Sequence, residues 1–197
     1  MGSQQTKIQI WNMALDVLRE QPLASVSDNS ATARLLARNY DQQRDYLLER
    51  YLWKFALTRA QLAADSSAPA YGWTYRYLVP TDALRFIPPT IDGSIEGTPI
   101  PFEEENGYIL CNQDAPLKLR YILRTTNEGL WSNGFCECLS LRLALRIAHW
   151  ITGKQSMVQQ IQGFYKETLA EVVQTHAVQV SSISYYDDDI LIQRSAY

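Results

Sequence analysis

Tyr71-Gly72-Trp73-Thr74-Tyr75-Arg76-Tyr77-Leu78-Val79-Pro80-Thr81-Asp82-Ala83-Leu84-Arg85 decides the reading of this chain. Trp73, Tyr75 and Tyr77 alternate with Thr74, Arg76 and Leu78, the two-residue period of a strand with one aromatic face. Pro80 removes a ladder donor and ends the strand, and Asp82 can cap the turn that follows. The flanking sequence keeps a helical period on both sides, so a sheet interrupts a helical chain.

Upstream, Ile8, Trp11, Leu15 and Leu18 recur at spacings of three and four, an amphipathic helix from about Gln4 to Glu20. Pro22 ends it, and the polar Ser25–Asn29 cluster supplies the next N-cap. A long second helix is expected over Ser30–Trp53, with Ala33, Leu36, Tyr40, Leu47 and Tyr51 as its apolar stripe. Arg34, Arg38, Asp41, Arg44 and Asp45 make its other side, with opposite charges three or four residues apart. Such a set serves either a solvated face or a belt of salt bridges between subunits. Tyr46–Ala56 is apolar on more than one face, so the fold or a neighbour encloses it.

Downstream, Asp65–Ala70 is a Ser/Ala/Pro linker, after which the period becomes two. Strands are expected at Trp73–Val79, Leu84–Ile87, Ile100–Glu103, Tyr108–Cys111 and Leu117–Leu123. Asn106-Gly107 is a hairpin signal, because both residues tolerate the positive φ of a tight turn. Phe135–Trp150 is apolar almost all round, with Arg142, Arg146 and His149 on one narrow stripe, and should be the most buried helix. Gly153 closes it, and a fourth helix follows over Gln155–Gln179 with Val158, Ile161, Tyr165, Leu169 and Val172 inward.

The expected class is therefore α+β, mainly α: a helical bundle of about four helices with a small antiparallel β insertion between the second and third. Residues 1–64 would form the N-terminal helical part, 71–126 the β insertion, 130–180 the C-terminal helical part and 181–197 a C-terminal arm. That arm carries Tyr185-Tyr186-Asp187-Asp188-Asp189 and then Ile190-Leu191-Ile192, and reads either as a frayed terminus or as an arm whose apolar triplet docks on a partner.

Composition narrows the function. A chain of 197 residues can bury roughly 70% of its unfolded surface without a metal or disulfide. A net charge of -3 argues against a general nucleic-acid binder, though not against a protein that surrounds DNA. Twelve Tyr and five Trp supply contact area of the kind enriched at interfaces, or else a Tyr-rich core. Three cysteines, Cys111, Cys136 and Cys138, make neither a disulfide framework nor a Cys-x-x-Cys motif, and read as buried thiols of a reducing compartment. Met1–Ile10 lacks the apolar run of a signal peptide, and no stretch approaches the roughly 18 apolar residues of a membrane span.

Candidate chemistry is thin. His149 and His176 lack metal-ligand spacing, and neither a nucleotide-binding loop nor a nucleophile elbow occurs. Glu103-Glu104-Glu105 and Asp187–Asp189 could be imagined as the carboxylates of a glycan or peptidoglycan hydrolase. That chemistry needs two carboxylates facing each other roughly 5 to 9 Å apart, and consecutive strand residues point to alternate faces. No catalytic, cofactor-binding or metal residues are assigned. The candidate interface residues are Tyr185, Tyr186, Ile190, Leu191, Ile192, Arg34, Arg38, Asp41, Arg44, Asp45, Trp73, Tyr75 and Tyr77.

The order of several fragments resembles a known family. Ala14-Leu15-Asp16-Val17-Leu18 is followed by Pro22, Ser25–Asp28, Ala31 and Ala33-Arg34. Tyr40, Arg44-Asp45 and Leu48 lead to Trp53-Lys54-Phe55-Ala56. Tyr71–Tyr75, Pro80, Asp82, Leu84-Arg85, Phe135, Leu143-Ala144 and Ala148 complete the series. Together they resemble the tail tubular protein A family of short-tailed bacteriophages, over nearly the whole chain. One departure is Arg19, where that family often has Gly.

The resemblance implies a structural head-to-tail adaptor in the virion tail, assembled in the host cytoplasm. It implies a dodecameric ring between the portal protein and a nozzle protein, without cofactor. DNA would pass through the lumen unread, and the ring would offer mounting sites for tail fibres or spikes. It also implies a helical bundle carrying a β insertion.

Overall fold

A computed structural model describes residues 5–179, which form two compact units. One is made of residues up to Ala56 together with Arg124–Thr175, the other of Leu57–Leu123.

The first unit is helical. Helix α1 (Lys7–Leu18) buries Ile10, Trp11, Ala14, Leu15 and Leu18. It stops at Arg19, which takes the left-handed conformation (φ 59°, ψ 35°). There the Arg19 amide reaches the Asp16 carbonyl and the Glu20 amide reaches that of Leu15, the paired bonds of a Schellman end. Helix α2 (Ala31–Arg50) starts where the Ser30 hydroxyl accepts from the Ala33 amide at 3.2 Å. Helix α3 (Asn133–Thr152) starts in the same way, with Ser132 accepting from Phe135 at 3.2 Å, and ends at Gly153 (φ 63°). Helix α4 (Gln155–Gln179) completes the set.

Helix α3 packs against both α1 and α2, and most of its apolar residues from Phe135 to Ala148 are buried. Its first turn lies close to α4, since a Cβ on Gly134 would sit 2.7 Å from a methyl of Val172. An aromatic group fills the interior. Phe135 stands edge-on to Trp53 at 4.9 Å and to Trp131 at 5.0 Å, and Tyr40 stands edge-on to Trp11 at 6.2 Å.

The second unit holds six strands: β1 (Leu57–Leu62), β2 (Tyr75–Leu78), β3 (Ala83–Ile87), β4 (Phe102–Glu105), β5 (Tyr108–Cys111) and β6 (Leu117–Leu123). They form two three-stranded antiparallel sheets, β1-β6-β3 and β2-β5-β4. The sheets share a core of Tyr77, Ile109 and Cys111 from one and Leu117, Leu119 and Tyr121 from the other. Asn106 (φ 49°) and Gly107 (φ 80°) turn β4 into β5, the paired positive φ of a two-residue hairpin.

This architecture corrects the expected fold class. The chain is not a helical bundle with one small insertion, because its strands build two sheets with a hydrophobic core of their own. β1 begins directly after Ala56, in a stretch assigned from sequence to the helical part. Leu57-Thr58-Arg59-Ala60-Gln61-Leu62 mixes helix formers with a weak alternation, and only pairing with β6, far along the chain, makes it a strand. The strand expected at Ile100–Glu103 lies at Phe102–Glu105, since Ile100 is held by a backbone bond to Pro89 outside the ladder.

Candidate functional site

The charged side of α2 is built from Arg34, Arg38, Asp41, Arg44 and Asp45. Arg34 and Arg38 are exposed, and the Arg34 guanidinium donates to the Asn29 carbonyl and side chain. Arg44 differs, with its side chain only 7% exposed. It donates to Asp41 at 2.8 Å and to Asp45 at 2.7 Å, and Asp45 also takes Arg124 at 3.1 Å. These partners all belong to the same unit.

Trp73, Tyr75 and Tyr77 share one side, as the alternation requires, and that side faces the core of the sheet unit. Tyr77 is fully buried, with Trp73 and Tyr75 packed beside it. Each polar tip is taken: Trp73 donates to Glu103 at 3.0 Å, Tyr75 to Asp114 at 2.8 Å and Tyr77 to the Gln113 carbonyl at 2.6 Å. Burial pushes the Tyr77 phenol up to about 12. The side chain of Arg76, on the opposite face, pairs with Asp65 at 3.0 Å, and the Ser67 amide, seconded by Arg76, holds that carboxylate below its ordinary range. Tyr185, Tyr186, Ile190, Leu191 and Ile192, with Asp187–Asp189, lie outside the described residues.

Sequence reasoning missed several large side chains left in water. Trp150, expected inside the most buried helix, is 78% exposed at the end of α3, and Phe164 on α4 is half-exposed. Tyr71 is 88% exposed before β2, with Leu78 and Ile91 also in water in the sheet unit. The helical unit also carries an open apolar groove of about 400 Å³, lined by Tyr51 and by Lys166, Leu169, Ala170, Val173 and Gln174 of α4. Those α4 positions recur at three and four, so they form a single unpartnered helix stripe.

The titratable groups do not converge. Cys111, Cys136 and Cys138 are buried thiols outside any disulfide. Burial, with some help from Glu137, pushes the Cys138 thiol up to about 12, which keeps it from acting as a thiolate. Glu103, Glu104 and Glu105 stand exposed along β4 rather than facing a second carboxylate across a cleft. Among the described residues there is no group of three or more His, Cys, Asp and Glu able to hold a metal ion, and no helix long and apolar enough to cross a membrane. No family model matches the chain, and no curated protein matches it.

Proposed function

We propose that this chain is a structural adaptor of a short-tailed phage tail, a ring-forming subunit between portal and nozzle. The observation that carries the reading is the exposure of large aromatic and aliphatic side chains in both units, Trp150 and Phe164 in one and Tyr71, Leu78 and Ile91 in the other. Contiguous apolar surface and exposed aromatics mark contact sites, and a subunit of a closed assembly needs more than one of them. The ordered fragments from Ala14 to Ala148 support the same reading. Ala14, Leu15, Trp53, Phe135, Leu143, Ala144 and Ala148 are all core residues, so these bear on the fold and the exposed residues bear on assembly.

In mechanism, heterologous contacts between neighbours close by rotation into a ring, twelve-membered in the family resembled. The genome leaves through the lumen without base contacts, because an acidic chain neutralises few phosphates and releases few counterions. The test is direct. The purified chain is mixed with portal protein and imaged by cryo-electron microscopy, and particles bearing a ring of this chain under the portal are expected. A lone 22.6 kDa species at every concentration, with portal present, would overturn the reading.

A further inference from the structure

Helix α4 has apolar residues on more than its inward side. Ile161 and Tyr165 are buried, and Val172 meets the first turn of α3 at Gly134. Leu169, Ala170 and Val173 instead line the open groove of about 400 Å³ beside Tyr51, bounded along the helix by Lys166 and Gln174. A helix side meant for water carries polar residues at such positions. The groove is therefore a surface that gains when an apolar segment covers it.

One end of the groove is cationic. Lys166 lines it there, and Arg50, at the end of α2, lies over the Tyr51 ring at 5.9 Å. Arg142 lies over Tyr46 at 3.7 Å and Tyr165 at 5.7 Å, next to Lys166. Glu49 and Glu167 adjoin these cations in sequence, yet Arg50, Arg142 and Lys166 form no salt bridge among the described residues. The other end, toward Val173 and Gln174, has no cation in its lining.

A segment with the complementary order follows α4 in the same chain. Asp187-Asp188-Asp189 precedes Ile190-Leu191-Ile192, so three acids lead directly into three aliphatic residues. We propose that this segment docks on its own chain, with Asp187–Asp189 at Arg50 and Lys166 and Ile190–Ile192 along Leu169, Ala170 and Val173. The charges fix the direction, since only a course parallel to α4 puts acids on the cationic end and the aliphatic triplet beyond them.

The connection is long enough. From Lys166 to the end of α4 at Gln179 the helix rises about 20 Å. Residues 180–188 reach about 30 Å when extended, sufficient to return to Lys166. Tethering of this kind gives the segment an effective concentration of order millimolar at its own groove, which a second copy must exceed to take its place. The contact lies within one chain and does not depend on the ring reading.

The experiment is disulfide trapping in the full chain with oxidised glutathione. Gln174→Cys/Gln193→Cys places one thiol at the far end of the groove and the other just past the triplet, leaving every apolar anchor in place. Thr175→Cys/Gln193→Cys is the control, because Thr175 is exposed, is not part of the groove lining, and closes a loop one residue shorter. The first pair is expected to close roughly tenfold or more faster than the second, in a monomer and at a rate independent of protein concentration. The native thiols are buried and stay out of the exchange. Adding Arg50→Glu/Lys166→Glu is expected to slow closure to the control rate, and adding Asp187→Lys/Asp189→Lys to that chain to restore it, which a misfolded variant could not do. Equal rates for the two pairs, or a charge exchange that fails to restore closure, would overturn the proposal. Disulfides that form between chains and faster at higher concentration would also overturn it, by giving the groove to a second copy. None of these outcomes bears on whether a ring forms under the portal.

Discussion

The indole nitrogen of Trp53 donates to the carbonyl oxygen of Leu47 at 2.6 Å, six residues back along the chain. Helix α2 ends at Arg50, so Leu47 belongs to its last turn, where carbonyls have no helical partner. Trp53 is buried and therefore caps the helix from inside the core while packing its ring on Phe135. Trp53→Phe keeps most of the ring and removes the donor. It is expected to cost about 1–3 kcal/mol, because a buried carbonyl is left without a partner. Trp53→Ala should cost more, about 3–5 kcal/mol, as a cavity opens beside Phe135. Urea unfolding followed by near-ultraviolet circular dichroism measures both.

The carboxylates around Arg44 are unequal. Asp45 bridges Arg44 and Arg124, whereas Asp41 is largely in water, with its side chain 68% exposed. Asp45→Asn leaves a buried guanidinium and a second cation sharing a neutral amide, and is expected to cost about 1–3 kcal/mol. Asp41→Asn is expected to stay within about 0.5 kcal/mol of wild type. Equal losses in thermal melts of the two variants would mean that Arg44 relies on both carboxylates alike.

Gly153 as the end of α3 and Asn106-Gly107 as the hairpin turn were legible, because local chemistry sets them. Other ends were not: the cap expected within Ser25–Asn29 is Ser30, α2 stops at Arg50 rather than Trp53, and α3 starts two residues before Phe135 on the unread cap Ser132. β1 was not legible, because Leu57–Leu62 becomes a strand only through a partner about sixty residues away, and no short window contains both. The alternation of Trp73, Tyr75 and Tyr77 gave a shared face but not its direction, since period two is the same whether the aromatic side looks at a core or at solvent. The burial of Arg44 was hidden in a charge pattern that suits an exposed helix equally well. The facing of Arg59 and Arg120 depends on strand register, which single-strand periodicity does not contain.

Arg19 occupies a conformation in which a Cβ is penalised. At φ 59° it closes the Schellman end of α1 where glycine would sit without strain. The left-handed region costs a residue with a side chain roughly 1–2 kcal/mol, and glycine gives back about 0.4–1 kcal/mol through unfolded-state entropy. Arg19→Gly is expected to stabilise the chain by about 0.5–1 kcal/mol. Gly107→Ala, at φ 80° in the hairpin, should lose a similar amount. A rise in urea midpoint for the first and a fall for the second is the check.

Alkaline pH should destabilise both units. The Cys138 thiol is raised by burial from 9.0 to about 12, and the Tyr77 phenol by burial from 10.0 to about 12. In each case the unfolded chain loses its proton first, so the unfolded state binds fewer protons and stability falls as pH rises. The contribution of each group is complete below its unfolded value and is lost on the way to about pH 12. Cys138→Ala is expected to flatten the fall from pH 9 upward, and Tyr77→Phe the fall from pH 10 upward. Thermal melts across pH 7 to 11 read the slopes. The same burial predicts that Cys111, Cys136 and Cys138 resist a thiol reagent at neutral pH until the chain is unfolded.

Trp150 separates folding from assembly. It lies 78% exposed at the end of α3, so Trp150→Gln removes little buried area, and stability should stay within about 0.5 kcal/mol of wild type. If the exposed ring is an anchor between copies or toward the portal, its loss should weaken association by about 2 kcal/mol or more, as buried aromatic anchors commonly do. Melting temperature and ring formation are then measured on the same sample. Unchanged melting with lost assembly is the expected pair. Unchanged melting with full assembly would remove Trp150 from the contact surface and leave Phe164, Tyr71, Leu78 and Ile91 to be replaced in turn.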